Sequence, residues 1–286
     1  MKLLVLGFDA LEYNLVEKYR LNALKQKQYG KLFIPKECYT KTVDFFGNKV
    51  YEPWTPYVWS AFLTGKTPKE LGLKKENVVE RSNRVINFVR KLVIKMHLEP
   101  MWMKYRKLFG WAVKKFGGKR ERLILDKEQT FLKDVDNLAI NFPMLSSEWI
   151  LDLPTSNLNE VVKKYWEQYF EIKAKTLQAI KNNQHTVILS YTRLLDIIGE
   201  LCYGDKLEMM KAYFEINDFV KQIHEILPRN AICLIVSDHG IEPFNQKFGK
   251  HSDHAFWSLN IKTEWKPSSV TDFYAKLEKL LKGESS

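Results

Sequence analysis

Apolar residues occur along this chain in two patterns: short uninterrupted runs, and longer stretches in which they recur every three or four positions. Branched aliphatic residues are common in the short runs, which is typical of strands buried on both faces. The longer stretches have the spacing of amphipathic helices. This alternation predicts an α/β fold with a mainly parallel sheet covered by helices on both faces. The predicted strands are residues 2–8, 137–144, 186–191 and 231–236, and the predicted helices are residues 12–27, 159–181, 206–227 and 270–282.

Polar residues that can bind metal ions follow three of these strands. Asp9 comes directly after the first strand, and Asp238 and His239 follow the last one. Asp196 and Glu200 follow the strand at 186–191 and lie four residues apart, so they share one face of a helical turn. Since the carboxyl ends of parallel strands form the ligand crevice of open α/β sheets, we expect these side chains to meet there. Carboxylates and imidazoles together indicate a metal site.

Each of these residues also has a purely structural interpretation. Asp9 can cap the helix that follows it, and Asp196 with Glu200 can form a solvated helix face. The pair of Asp238 and His239 can cap a turn. The conjunction of these elements favours a metal site over the separate structural interpretations.

Between the first two metal-binding elements lies a segment that combines hydroxyl groups, prolines and aromatic residues, at positions 53–68. Thr55 in this segment stands nine residues before Thr64, which is followed by a glycine. A Thr-Pro pair commonly starts a helix or a turn. Aromatic residues at this spacing are typical of core, and here they are Trp54, Tyr57, Trp59 and Phe62.

The order and spacing of these elements resemble the alkaline phosphatase superfamily, in particular the small archaeal-type members of its type I phosphodiesterase/nucleotide pyrophosphatase branch. The resemblance covers residues 1–73 and 186–260. It implies an alkaline phosphatase-like three-layer sandwich and metal-dependent hydrolysis of phosphoric esters, with phosphodiesters such as nucleotides preferred. Phosphomonoesters are the alternative substrates within the same fold. The absence of a Cys-x-Pro-x-Arg element argues against a sulfatase.

The resemblance also implies a site. Thr55 matches the nucleophile of the family, and two divalent ions, zinc or manganese, are expected beside it. A histidine in the loop after the last predicted strand completes the first metal site; His251 fits the family pattern, and His254 remains the alternative to it. The implied ligands are Asp196, Glu200 and His251 for one ion, and Asp9, Asp238 and His239 together with Thr55 for the other.

Glu200 departs from the family pattern, because relatives have a histidine ligand at this place. A carboxylate makes the site harder and favours Mn²⁺ or Mg²⁺ over Zn²⁺. The substitution also permits a weakened or lost site. In that case the chain is a non-catalytic module that binds nucleic acid or an anionic membrane.

The chemistry of such a site is consistent with the implied activity. Two divalent ions about 4 Å apart can clamp a phosphoryl group and stabilise the attacking and leaving oxygens. A threonine hydroxyl is a poor nucleophile at neutral pH and needs this assistance. The expected reaction passes through a phosphothreonine at Thr55 that water then hydrolyses.

Composition indicates one soluble domain spanning residues 1–286. A chain of 286 residues that is 45% hydrophobic can bury one large α/β core. Cys38, Cys202 and Cys233 are too few and too scattered for a disulfide framework, which favours a reducing compartment. The amino terminus has no signal-peptide pattern, and no apolar stretch approaches transmembrane length. We therefore expect a cytoplasmic protein, with no obligate protein partner evident.

Positive charge is concentrated in one segment. Residues 84–122 contain twelve lysines and arginines against two glutamates, and twelve minus two gives +10 of the net +11 of the chain. Two amphipathic helical patterns predict a basic helical hairpin here, within a helical cap insertion at residues 75–130. Three interpretations remain open: a cap that packs on the body, a surface for nucleic acid, and a surface for anionic lipid. In each case the positive field attracts an anionic phosphoester substrate.

Overall fold

The computed structural model describes residues 1–43, 49–81, 84–96, 98, 101, 120–146, 148–150 and 157–283. The strands in this part of the chain are β1 (Leu3–Phe8), β2 (Gln28–Phe33), β3 (Tyr39–Val43), β4 (Lys49–Pro53), β5 (Val79–Arg81), β6 (Arg120–Arg122), β7 (Asn137–Ile140), β8 (Val187–Thr192), β9 (Ile232–Val236), β10 (Ile241–Pro243), β11 (Gly249–His251) and β12 (His254–Leu259). The helices are α1 (Tyr13–Lys18), α2 (Asn22–Lys25), α3 (Thr55–Thr64), α4 (Lys75–Val78), α5 (Arg84–Lys95), α6 (Leu158–Asn182), α7 (Leu194–Cys202), α8 (Lys206–Ile226) and α9 (Asp272–Lys282).

Six strands form the central sheet in the order β2-β12-β9-β1-β8-β7. β1 runs parallel to both of its neighbours, β8 and β9, and β7 runs parallel to β8. β12 is antiparallel to β9 and to β2. The predicted α/β fold with a mainly parallel sheet is therefore confirmed.

The two faces of the sheet bury separate hydrophobic cores. Leu4 and Leu6 of β1 belong to one core, together with apolar residues of α6, α7 and α8. Leu3 and Val5 belong to the other, together with apolar residues of α3 and α9. This alternation follows from the two-residue period of a strand. Since helices cover both faces, the polar residues that follow the strands are left at the edge where the strands end.

Two predicted elements have different bounds in the structure. The helix expected at 12–27 is two short helices, α1 and α2, because Arg20 adopts a left-handed backbone conformation with φ of 54°. The strand expected at 137–144 ends at Ile140, because Asn141 has a φ of 56°. An extended strand cannot continue through a residue in that conformation.

β2 and β12 were absent from the prediction. β12 is buried along its whole length between β9 and β2, and its antiparallel register pairs His254 with Phe33. β2 is a polar strand at the edge of the sheet, where alternate residues remain accessible. This pair places the loop at 249–254, with both of its histidines, beside the carboxyl end of β9.

The basic insertion lies partly within the described residues. β5 and β6 pair in antiparallel register and bracket α5. The first predicted helix of the hairpin corresponds to α5, whereas the second, apart from Met101 at its start, lies outside the described residues. The cap at residues 75–130 stays a prediction. No helix in the described part of the chain combines the length and the apolar character needed to cross a bilayer.

Candidate metal centre

The carboxyl ends of β1, β8 and β9 meet at one edge of the sheet. Asp9 follows β1 directly, and Asp238 and His239 follow β9 after one intervening serine. Asp196 lies in the first turn of α7, the helix that follows β8. Because β1 lies between the other two strands, the residues that leave these three strands converge on one place.

Asp9, Asp238 and His239 form the first cluster at this edge. All three are fully buried, and their ligand-type atoms lie within 4.8 Å of one another. His239 Nε2 is 3.1 Å from Asp9 Oδ1 and 3.6 Å from Asp238 Oδ2. Among the described residues, none of these atoms has a hydrogen-bond partner. Buried polar atoms without partners are costly, so the cluster has the character of an incomplete coordination sphere.

Burial and neighbouring charges raise the pKa values of two groups in this cluster. Burial first, and the neighbouring Asp9 carboxylate second, raise the pKa of Asp238 to about 7. Burial alone would lower the pKa of His239, but the carboxylates of Asp238 and Asp9 raise it to about 9. Because metal ligands bind in their deprotonated forms, a divalent cation bound by this cluster would release protons from it.

Asp196, His239 and His251 form the second cluster, again with ligand-type atoms within 4.8 Å. His251 Nε2 lies 3.3 Å from Asp196 Oδ1, and neither atom has a hydrogen-bond partner among the described residues. The rings of His239 and His251 stack with centroids 3.7 Å apart. His239 therefore lies within reach of both clusters, whereas the sequence predicted it for only one.

The orientation of both histidines suits metal binding through Nε2. His239 Nδ1 lies 3.0 Å from the backbone oxygen of Gly240, and His251 Nδ1 lies 3.2 Å from that of Pro53. A carbonyl oxygen can only accept, so each Nδ1 carries a hydrogen and donates it. In the neutral ring this leaves the lone pair on Nε2, which points into the clusters.

Glu200 lies beside this second cluster, but it is not among the residues whose ligand-type atoms all lie within 4.8 Å of one another. Its Oε1 is 3.3 Å from His251 Nε2, and its side chain retains 22% exposure. Burial and the neighbouring Asp196 raise the pKa of Glu200. Gly199 permits this placement, since a Cβ there would come within 2.7 Å of Ile241 Cγ1. A larger residue would push α7 away from β10 and carry Glu200 away from His251.

Arg193 joins the two clusters, and sequence reasoning assigned it no role. Its Nε donates to Asp9 Oδ2 at 3.2 Å, and its Nη2 donates to Asp196 Oδ2 in a close contact. The hydroxyl of Tyr191 also donates to Asp9 Oδ2. Each carboxylate is thus anchored through Oδ2 and keeps Oδ1 for the clusters. The spacing of three residues between Arg193 and Asp196 was a visible signal for this contact.

The ion pair with Arg193 also sets the charge of Asp196. Burial alone would raise the pKa of the Asp196 carboxyl, but the Arg193 guanidinium and the imidazole of His251 hold it well below its usual range. For His251, burial alone would lower the pKa, whereas the carboxylates of Glu52 and Asp196 raise it well above its usual range. Glu52, whose Oε2 is 3.6 Å from His251 Nδ1, was not predicted, because β4 is remote from this loop in the sequence.

Thr55 is the first residue of α3 and is buried. The helix start expected from the Thr-Pro pair is confirmed, and all ten residues of α3 are buried. The chain segment that leads into the helix contacts the second cluster, because Pro53 and Glu52 both lie against His251. Thr55 therefore lies at a helix amino terminus, a position that favours negative charge.

His254 has a different environment from His251. Its Nε2 lies 2.9 Å from Glu12 Oε1, and Glu12 also accepts hydrogen bonds from the backbone of Ile241 and the hydroxyl of Ser252. Glu12 is buried with its bonding capacity filled by these groups. The structure therefore brings His251, and not His254, together with Asp196 and Glu200.

Comparison with known proteins agrees with this geometry. The family model described as type I phosphodiesterase/nucleotide pyrophosphatase matches residues 3–282, which is nearly the whole chain. None of the curated proteins matches the chain.

Proposed function

The chain belongs to the type I phosphodiesterase/nucleotide pyrophosphatase family, whose members are metal-dependent phosphoric ester hydrolases, and we propose that it cleaves phosphodiesters with Thr55 as nucleophile. The observation that carries the proposal is a set of six buried ligand-type atoms at the sheet edge that have no hydrogen-bond partner among the described residues. They are Asp9 Oδ1, both carboxylate oxygens of Asp238, His239 Nε2, Asp196 Oδ1 and His251 Nε2. Hydrolysis of nucleotides or of other anionic diesters is the expected reaction.

We assign these atoms to two divalent cations. Asp9, Asp238 and His239 would hold one ion together with the hydroxyl of Thr55. Asp196, Glu200 and His251 would hold the other ion, with His239 within reach of both. The cations would supply the positive charge that favours a deprotonated Thr55 hydroxyl and a departing alkoxide. Because Glu200 adds an oxygen ligand, the second set favours manganese more than a histidine there would, with zinc as the alternative.

The protein's own residues have separate roles in the proposed reaction. Thr55 Oγ1 attacks phosphorus, the bond to one ester oxygen breaks, and the threonine proton ends on that oxygen, which leaves as an alcohol. The phosphoryl group stays on Thr55 with its second ester intact. A water molecule then attacks phosphorus and restores the threonine hydroxyl. Arg193 and Tyr191 act as positioning groups, because they bind the Oδ2 atoms of Asp9 and Asp196 and leave each Oδ1 available.

The experiment compares hydrolysis of bis(p-nitrophenyl) phosphate and p-nitrophenyl phosphate with Mn²⁺ or Zn²⁺ added. We expect faster cleavage of the diester, and a loss of at least ~10³-fold in Thr55→Ala, since loss of a nucleophile removes the covalent route. Thr55→Ser is the matched control, because it retains a hydroxyl and should retain measurable turnover. Rapid quenching should trap a p-nitrophenyl phosphoryl group on Thr55 when the wild type cleaves the diester.

Near-normal turnover in Thr55→Ala with both cations bound would overturn the assignment of the nucleophile. Faster cleavage of the monoester would replace the diester by a monoester as the substrate class. No Thr55-dependent cleavage of either compound, despite bound cations, would contradict the proposal for these substrates.

A further inference from the structure

Helix α5 and Met96, the residue directly after it, expose a continuous apolar stripe. The backbone nitrogen of Met96 donates to Leu92 O at 2.9 Å, so the helical spacing extends to this residue. Phe88 is 68% exposed, Val89 39%, Leu92 43% and Met96 57%. These positions are spaced by three, four, seven and eight residues, so they lie on one face of the helix. Isolated exposed apolar residues are ordinary on protein surfaces, whereas a contiguous stripe marks an interaction surface.

The longer helices that cover the sheet bury their apolar faces, in contrast to α5. α6 buries Tyr169 and Ile172 against the sheet, and α8 buries Tyr213 and Ile216. Within the described part of the chain, the main contacts of α5 are with α4 and β5, at the base of the insertion. The stripe is thus not used to attach α5 to the core of the sheet.

The charge around this stripe has a single sign. α5 contains Arg84, Arg90, Lys91 and Lys95 and no acidic residue. Residues 84–122 as a whole contain twelve basic and two acidic residues, which gives +10 of the net +11 of the chain. The matching partner therefore carries dense negative charge.

Exposed apolar side chains and basic flanks together select one class of partner. The phosphates of a nucleic acid would bind the basic residues, but the nucleic acid backbone offers no apolar surface that would cover the stripe on the helix. The interface of an anionic bilayer accepts both, since the apolar face enters the acyl boundary and long basic side chains reach the headgroups. We propose that α5 binds the surface of an anionic lipid bilayer through Phe88, Val89, Leu92 and Met96. The helix lies in the interface, because its twelve residues are too few to span a bilayer.

Vesicle sedimentation tests this proposal with the full chain. Vesicles of phosphatidylglycerol mixed with phosphatidylcholine should bind the protein at least ~10-fold more tightly than vesicles of phosphatidylcholine alone. Raised salt should weaken binding without abolishing it, since the apolar contribution is not screened. The double variant Phe88→Glu/Leu92→Glu should lose at least ~10-fold in affinity for the anionic vesicles.

The matched control carries the same two changes elsewhere. Phe170 and Leu207 are 51% and 80% exposed, on helices α6 and α8. Phe170→Glu/Leu207→Glu should bind vesicles like the wild type. Both double variants should hydrolyse a water-soluble diester at the wild-type rate, because none of the four residues belongs to the metal centre. This activity also shows that the variants are folded.

Three results would overturn the proposal. The first is absence of wild-type binding to the anionic vesicles. The second is an equal loss of binding in the two double variants. The third is tight binding of single-stranded oligonucleotide that Phe88→Glu/Leu92→Glu leaves unchanged, with no vesicle binding, which would assign the basic segment to nucleic acid.

Discussion

The sheet edge and helix α5 depart from the usual rule of burial in opposite directions. The sheet edge buries six polar atoms that have no hydrogen-bond partner in the described part of the chain, whereas α5 and Met96 directly after it expose a stripe of large apolar side chains. Both arrangements cost free energy in the isolated chain. We propose a ligand of matching chemistry for each region: divalent cations for the sheet edge, and an anionic lipid surface for α5. Unsatisfied groups in the two regions thus point to ligands of different kinds.

The largest expected effect on this contrast comes from Asp238→Asn. The amide keeps the shape of the side chain but removes a buried negative charge, so metal affinity should fall by more than ~100-fold, beyond the usual effect of altering an outer partner. Without metal, the same variant should be more stable than the wild type, because Asp238 no longer faces Asp9 as a second carboxylate.

Metal titration by calorimetry and thermal unfolding in chelator measure the two effects. Asp218→Asn changes an exposed carboxylate on α8 and is the control for charge alone. Unchanged metal affinity in Asp238→Asn would remove this residue from the ligand set.

A smaller effect is expected from Arg193→Lys. This variant separates the positioning of Asp9 and Asp196 by the guanidinium from the effect of its positive charge. Lysine keeps the positive charge, but its single ammonium cannot hold Asp9 and Asp196 in the way that the guanidinium does. We expect metal affinity to fall ~10- to 100-fold, the range typical of groups that orient metal ligands. Titration of Arg229→Lys, an exposed arginine, provides the control. If Arg193→Lys bound both cations like the wild type, the contacts of Arg193 with Asp9 and Asp196 would have no role in positioning the metal ligands.

A third expected effect is a dependence of stability on pH that cations suppress. Asp238, with a pKa raised from 3.8 to about 7, and His239, with a pKa raised from 6.5 to about 9, bind protons more tightly in the folded state. Their contribution to stability is complete at low pH and is lost as the pH rises through about 4 to 7 and about 6.5 to 9, respectively. The metal-free protein should therefore lose stability from this cluster between pH 5 and pH 8.

Melting temperatures in chelator and in saturating Mn²⁺ test this dependence. The cation binds the deprotonated ligands, so the stabilisation it gives should increase with pH over the same range. In chelator, Asp238→Asn should have a shallower decline than the wild type. Equal slopes with and without the cation would show that the cluster does not exchange protons for metal.

Sequence reasoning recovered the local features of this molecule better than the remote ones. β1, β8 and β9 could be predicted because each is an apolar run, and the residues after them follow from the direction of the strands. Asp196 and Glu200 could be placed on one face because α7 is regular. The choice between His251 and His254 could not be made, because it depends on the bond between His254 and Glu12, which are 242 residues apart.

The remaining misses have the same physical origin. β2 and β12 gain their stability from pairing with each other, and β12 also pairs with β9, so their own sequences give weak signals. Glu52 reaches His251 only because β4 leads into α3 beside the loop at 249–254. The exposure of the stripe on α5 could not be foreseen either, since an amphipathic pattern is equally consistent with packing on the body.

The number of divalent cations bound per chain is the most direct test of the central claim. The protein would be stripped with chelator, reloaded with Mn²⁺ and weighed by native mass spectrometry, with Asp238→Asn measured in parallel. The assignment of the buried sheet-edge atoms predicts two ions per wild-type chain and fewer in the variant. One ion or none on the wild type, or two ions on both proteins, would contradict it.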